Sequence, residues 1–228
     1  MKREPHLYAD MDILIYRVGW GCKGYDLTET CRTMDQNIYK IIERFNIPYT
    51  LVISNTEKTF RHDVAVTAPY KGTRKQEKPE FYHELRRYLV ERWDAVMSPV
   101  GLEADDFIGI HCTRKDIIAT IDKDLLMIPA AYHYNFVKDT VTKVKRNMYY
   151  FWHQLLTGDK ADNIIGLKGI GEVKADRILK GVKLKDMKNV VFQKYEEEFK
   201  DRAQERFREN CALLWILRDQ RKDFTHYI

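Results

Sequence analysis

Apolar positions along the first half of this chain fall either into short continuous runs or into stripes at helical spacing, and the two kinds alternate. His6-Leu7-Tyr8-Ala9 is a short run that ends in Asp10, and Ile13-Leu14-Ile15-Tyr16 follows before a glycine-containing stretch from Gly19 to Gly24. This order predicts strand, carboxylate, helix. Ile38, Ile41, Ile42 and Phe45 recur with a helical period that Ile47-Pro48 closes, after which Tyr49–Ile53 reads as a buried strand. Phe81, Leu85, Tyr88 and Leu89 mark an amphipathic helix, Ala95-Val96-Met97 a short strand, and Glu103 to His111 another helix. Asp116–Ile121 is an apolar run bounded by charges, as a central parallel strand requires. His133–Val137 and Thr140–Val144 predict two more short strands. Beyond them the pattern is helical, ending in the stripe Phe207, Cys211, Leu214, Leu217. The prediction is an α/β fold with a mostly parallel central sheet flanked by helices over residues 1–150, and a helical lobe over 151–228.

Composition adds limits. The chain has 228 residues, enough for one good core and a small second lobe, with 44% hydrophobic and 32% charged residues. No apolar run approaches the length of a bilayer span, and no apolar segment follows Lys2-Arg3 as a secretory signal would. A cytoplasmic, monomeric protein without membrane contact is expected. Cys22, Cys31, Cys112 and Cys211 lack the paired spacing of a zinc site, so buried reduced thiols are expected. The net charge is +5, and Lys58 to Arg92 alone holds nine Lys/Arg against five acidic residues. Taken alone, that surplus reads as a solvated helix face rather than a nucleic-acid contact.

Candidate chemistry lies in three carboxylate groups: Glu103-Ala-Asp105-Asp106, Asp122-Lys-Asp124 and Asp159-Lys-Ala-Asp162. Hard divalent cations take several oxygen ligands, and in open α/β sheets ligands gather beyond the carboxyl ends of the strands. Asp10, Glu103, Asp105 and Asp122 are therefore expected to face one crevice. Any single group has a plainer reading as a helix cap. The third group runs into Gly166-Leu-Lys168-Gly169-Ile-Gly171-Glu-Val-Lys174. There Gly169 and Gly171 would permit a tight turn with positive φ, and the helix starting near Glu172, with Lys168 and Lys174, would attract a phosphate. A structural turn between packed helices is the alternative.

These residues together resemble the 5′-to-3′ exonucleases and flap endonucleases, which include phage replication nucleases and the N-terminal nuclease domain of bacterial DNA polymerase I. The resemblance spans nearly the whole chain. It is carried by Asp10 with Tyr16-Arg17, Phe60-Arg61-His62, Pro69-Tyr70-Lys71-Gly72-Thr-Arg74, Glu103-Ala-Asp105-Asp106, Asp122-Lys-Asp124-Leu125, and Thr157 through Asn163 running into Gly166 to Gly171. The short length looks most like a phage-encoded member, which would act in the host cytoplasm. The resemblance implies a PIN-like core with a helical arch at about 63–90 and a helix-three-turn-helix lobe. It also implies two Mg²⁺ ions, for which Mn²⁺ could substitute, and a K⁺ in the helix-three-turn-helix. Asp10, Glu103, Asp105 and Asp122, with Asp106 beside them, would serve one Mg²⁺, and Asp124, Asp159 and Asp162 the other. Lys71 and Arg74 would act on the scissile phosphate. Arg61, Tyr70, Lys75, Lys168, Gly169, Gly171 and Lys174 would contact DNA.

One departure matters: the family places an Asp shortly before Phe60-Arg61, where this chain reads Val52-Ile-Ser54-Asn55-Thr-Glu57. The expected activity is Mg²⁺-dependent cleavage of DNA at 5′ ends, flaps or branches, and of RNA primers, during replication alongside a polymerase or single-strand-binding protein. The alternative is a structure-selective branched-DNA-binding protein with impaired cleavage, because a carboxylate is missing near Asn55. An RNase of the PIN class ranks below both, since such proteins generally lack the glycine hairpin and the Tyr70 to Arg74 motif.

Overall fold

The computed structural model describes residues 3–55, 58–74, 77–145 and 147–226. In chain order the elements are β1 (Leu7–Asp10), α1 (Asp12–Gly21), α2 (Leu27–Glu43), β2 (Tyr49–Ile53), α3 (Phe60–Val64), α4 (Tyr82–Trp93), β3 (Val96–Met97), α5 (Ala104–His111) and β4 (Ile117–Ala119). A 3-10 turn (Asp124–Met127), β5 (Tyr132–Asn135), β6 (Thr140–Thr142), α6 (Asn147–Thr157), β7 (Gly158–Asp159), β8 (Ile164–Ile165), α7 (Glu172–Leu179), α8 (Met187–Phe199) and α9 (Ala203–Leu214) follow. None of the described helices is long and apolar enough to cross a membrane.

The chain forms two compact units. The core unit comprises Met1–Glu57 and Gln76–Lys145, and the C-terminal unit comprises Lys58–Lys75 and Arg146–Ile228. The sequence placed the division near Tyr150 and kept the whole basic segment with the core. Lys58–Lys75 group with the C-terminal helices, where Arg61 and Glu209 make the connecting hydrogen bonds.

In the core unit the sheet order is β3-β2-β1-β4-β5-β6, parallel throughout except for β6, which runs antiparallel to β5. Leu7 pairs with Tyr49 on one side and with Ile117 on the other, so β1 lies between the strands that follow it in either direction. That is the topological switch point of a doubly wound sheet, the place where such folds open a crevice. β1 and β4 are buried along their whole length, as their continuous apolar runs require when helices cover both faces. Leu7, Ala9, Leu51, Ile53, Ile117 and Ala119 share one cluster with Leu14, Ile15 and Val18 of α1, Met34, Ile38 and Ile41 of α2, and Leu85 and Leu89 of α4. Strand residues alternate faces, so Asp10 points to the side of the sheet opposite Ala9.

In the C-terminal unit, β7 and β8 make a short hairpin whose backbones meet closely. A Cβ added to Gly158 would stand 2.3 Å from the Gly166 nitrogen, and one added to Gly166 would stand 2.3 Å from the Gly158 nitrogen. Only glycine at both positions allows this crossing. Arg61 of α3 is buried at 2% exposure, donating from Nε to the Leu213 carbonyl at 3.0 Å and from Nη2 to the Trp215 carbonyl at 2.8 Å. Glu209 of α9 accepts the backbone N–H groups of Val66 and Thr67 and the Thr67 hydroxyl, at 2.7 to 2.8 Å, and pairs with Arg206. Burial opposes its charge, but these donors prevail and hold the Glu209 carboxyl below its ordinary range. Charged residues that composition assigns to the surface thus fasten residues 58–74 to α9.

Candidate active site

The core-unit carboxylates sit where the strands end. Asp10, the last residue of β1, is only 8% exposed, and its Oδ1 accepts the Asp12 N–H at 3.1 Å while its Oδ2 accepts the Thr120 hydroxyl at 3.3 Å. The same Thr120 oxygen accepts the Asp122 N–H at 3.0 Å, and Asp122 Oδ1 accepts the Asp124 N–H at 2.9 Å. Thr120 therefore links the end of β1 to the turn after β4. Burial, then the charges of Asp12 and Asp122, push the Asp10 carboxyl up to about 8, against the two hydrogen bonds that favour its ionised form. Such crowding of negative charge is what a bound cation relieves.

Glu103 caps α5: its side chain accepts the N–H of Asp106, and Asp106 Oδ2 accepts the Glu103 N–H at 3.2 Å. Asp105 Oδ1 accepts the Asp106 N–H at 2.7 Å. Acidic groups in a first turn also suit the positive end of the helix dipole. Asp106 is fully buried, and its Oδ2 faces back onto its own helix start. Glu103 and Asp105 are partly exposed, and Asp122 is exposed.

The departure at Ser54 has a physical use. Its Oγ accepts the Ala104 N–H at 2.9 Å and so caps α5, while its backbone N–H donates to Asp12 Oδ2 at 3.0 Å. Asn55 is exposed, with its N–H on the Ser98 hydroxyl at 3.1 Å. Asp12 lies between Asp10 and the apolar helix start Ile13–Tyr16 and carries no motif of its own. The signal that could have found it is its spacing: two residues beyond a strand-end Asp, at the first position of a helix.

In the C-terminal unit, Asp159 Oδ1 accepts the N–H groups of Ala161 (2.7 Å) and Asp162 (3.3 Å), which folds the acidic turn between β7 and β8. Asp162 holds the Pro69–Arg74 loop: Oδ2 accepts the Tyr70 hydroxyl at 2.7 Å, Oδ1 accepts Arg74 Nη2 at 2.5 Å, and its carbonyl accepts the Lys71 N–H at 2.8 Å. Asn163 Nδ2 adds a bond to the Pro69 carbonyl at 2.9 Å. Lys71 takes a left-handed backbone, φ 55°, with its Nζ 4.9 Å from the centre of the Tyr70 ring. Arg61 and Tyr70 are 2% and 5% exposed and act as internal fasteners. Lys75 lies outside the described residues.

The glycine turn is only half as expected. Gly169 has φ +69°, but Gly171 has φ −95° and is the N-cap of α7, with no side chain to cap it. A Cβ at either would meet nothing within 4 Å. Lys168 and Lys174 are exposed, and the Lys168 N–H donates to both oxygens of Glu198, at 3.0 and 2.8 Å. Sequence reasoning missed Glu198, which lies 30 residues downstream of Lys168.

Among the described residues, no group of three or more His, Cys, Asp or Glu side chains is placed to hold a metal ion. The donor chemistry nonetheless fits a hard divalent cation: Asp10, Asp122, Glu103, Asp105 and Asp124 offer only oxygen, and the charge crowding at Asp10 calls for a positive partner.

The mostly parallel sheet flanked by helices is a fold that this chain shares with solved 5′-exonuclease structures. The T5 5′-exonuclease with bound zinc ions superposes with a TM-score of 0.64 at 15% identity, covering 93% of this chain and 89% of that one. The catalytic core of Rad2 in complex with DNA substrate gives 0.52 at 16% identity, covering 91% and 72%. A bacteriophage T5 flap endonuclease in a pseudo-enzyme-product complex with DNA and metal ions gives 0.55 at 14%, covering 92% and 99%. More particularly, a 5′-3′ exonuclease of Mycoplasmopsis pulmonis (strain UAB CTIP) is 27% identical over 213 residues, covering 80% of this chain and 68% of that protein. No family model matches the chain. The resemblance read from the motifs is thus to proteins named as 5′-exonucleases and flap endonucleases.

Proposed function

We propose that this protein is a divalent-cation-dependent 5′ nuclease, a 5′-to-3′ exonuclease and flap endonuclease that hydrolyses phosphodiester bonds of DNA and of RNA primers on DNA. The observation that carries this reading is Asp10: a buried carboxyl at the switch point of the sheet, pushed up by burial and by the neighbouring charges of Asp12 and Asp122. A purely structural site would pair such a group with Lys or Arg.

Asp10, Glu103, Asp105, Asp122 and Asp124 would hold the cation, for which Mg²⁺ is proposed. When bound, it supplies charge neutralisation and a more acidic water for attack on phosphorus. The chain's own residues do the positioning. Thr120 fixes the Asp10 oxygens and the Asp122 backbone, and the cap at Glu103 fixes the start of α5. Lys71 and Arg74 are proposed to offset the charge that builds on the phosphate as water enters and the sugar oxygen leaves. Asp162, Tyr70 and Asn163 hold the loop that carries both. The exposed turn at Gly169, the open N-terminus of α7, Lys168 and Lys174 would take a duplex phosphate without reading sequence.

The test is cleavage of 5′-flap and blunt duplex DNA labelled at either end, with Mg²⁺ or EDTA, by the wild type and Asp122→Ala. Mg²⁺-dependent release from the 5′ side, lost in Asp122→Ala, is expected. Tight structure-selective binding with no turnover would overturn the enzyme reading in favour of a binding protein.

A further inference from the structure

We infer that Asp12 supplies, at the carboxyl end of β2, the carboxylate that this chain lacks at Ser54 and Asn55, and so is a further cation-binding residue of the proposed site. This rests on the nuclease reading above. The sequence leaves the end of β2 without a carboxylate, since Ser54 and Asn55 are both uncharged. The structure shows where charge is delivered instead. Asp12 opens α1, one residue beyond the turn from β1, yet its side chain reaches across to β2, where Oδ2 accepts the Ser54 N–H at 3.0 Å. One carboxylate thus lies against the backbone of the position that lacks one.

Ser54 cannot serve the same purpose, because its hydroxyl is turned to the Ala104 N–H and caps α5. Arg86 of α4 completes the arrangement: Nη1 donates to Asp12 Oδ1 at 3.3 Å, and Nη2 donates to the Ser54 carbonyl. This guanidinium balances Asp12 and pins it to the end of β2. A carboxylate has about four lone-pair sites, and Ser54 and Arg86 are the donors seen on Asp12. Capacity remains for a cation or its water. The Asp12 backbone N–H also donates to Asp10 Oδ1 at 3.1 Å, which sets Asp12 beside the first candidate ligand. Because Asp12 and Arg86 form an ion pair at 3.3 Å, a residue that only strapped β1, β2 and α4 together would lose stability with its charge but leave cation affinity unchanged.

The charge is therefore the variable to test. Mn²⁺ binding is measured by titration calorimetry on the wild type, Asp12→Asn and Asp26→Asn. Asp26 accepts the Glu29 N–H as the N-cap of α2 and belongs to no part of the site. Asp12→Asn keeps an oxygen for the Ser54 N–H and is expected to weaken Mn²⁺ affinity roughly 10- to 100-fold, with Asp26→Asn unchanged. Thermal melting checks the fold, and Asp12→Ser is the second uncharged variant should the first not fold. Mn²⁺ bound as tightly by a folded Asp12→Asn or Asp12→Ser as by the wild type would overturn the inference and leave the nuclease reading standing. No Mn²⁺ binding by the wild type would instead overturn that reading, and this inference with it.

Discussion

Asp10 is where burial and function oppose each other most directly. Its carboxyl is raised from an ordinary value of 3.8 to about 8, so in the metal-free protein the folded state keeps a proton that the unfolded chain releases. Stability from this group is fully present below about pH 4 and falls as pH rises toward about 8. A cation that needs the ionised form reverses the trend. Melting temperatures with and without Mg²⁺ should show a stabilisation that is small near pH 5 and grows toward pH 9, with proton release on binding. A pH-independent increment would place the cation elsewhere. Arg61 illustrates the opposite case, a charge with a structural task. Arg61→Met should cost about 3 kcal/mol, because the Leu213 and Trp215 carbonyls lose buried partners. Denaturant unfolding reads this directly; unchanged stability with weakened DNA binding would return Arg61 to the interface.

Among the elements, the regular ones were the legible ones. β1, β2 and β4, with α2 and α4, follow from apolar runs and from stripes at helical spacing, because a buried strand or an amphipathic helix leaves a period in the sequence. The two-residue strands β7 and β8 leave none, and only the close backbone approach at Gly158 and Gly166 explains them. The glycines and lysines of the turn leading into α7 suit an open phosphate grip, but Glu198 enters there. Its carboxylate already accepts the Lys168 N–H with both oxygens, an internal anion at the place proposed for a phosphate. Glu198→Gln should therefore raise the affinity for duplex DNA several-fold at low salt, read by fluorescence anisotropy. Weaker binding would mean that Glu198 supports the turn rather than competing at it.

At the scale of the whole molecule, the candidate residues divide between the two units, and the sequence hid that division. The motif from Pro69 to Arg74 belongs with Asp159–Asn163, far along the chain, because Asp162 takes up Tyr70 and Arg74 and because Arg61 and Glu209 bury their charges on α9. Pairings over such separations leave no local pattern, and Asp12 was equally hidden because its role depends on where its side chain turns. The acidic strand ends themselves were legible, since the parallel sheet brings the ends of β1 and β4 side by side. If the basic residues act as proposed, DNA binding should weaken steeply and linearly in log affinity against log salt. Lys71→Ala should slow single-turnover cleavage far more than it weakens binding; equal losses would make Lys71 a binding residue only. The most direct test of the whole reading is anomalous diffraction from crystals grown with Mn²⁺. A peak within ligand distance of the Asp10 and Asp122 carboxylates is predicted, and crystals that show Mn²⁺ only elsewhere, with Asp10 and Asp122 bare, would contradict it.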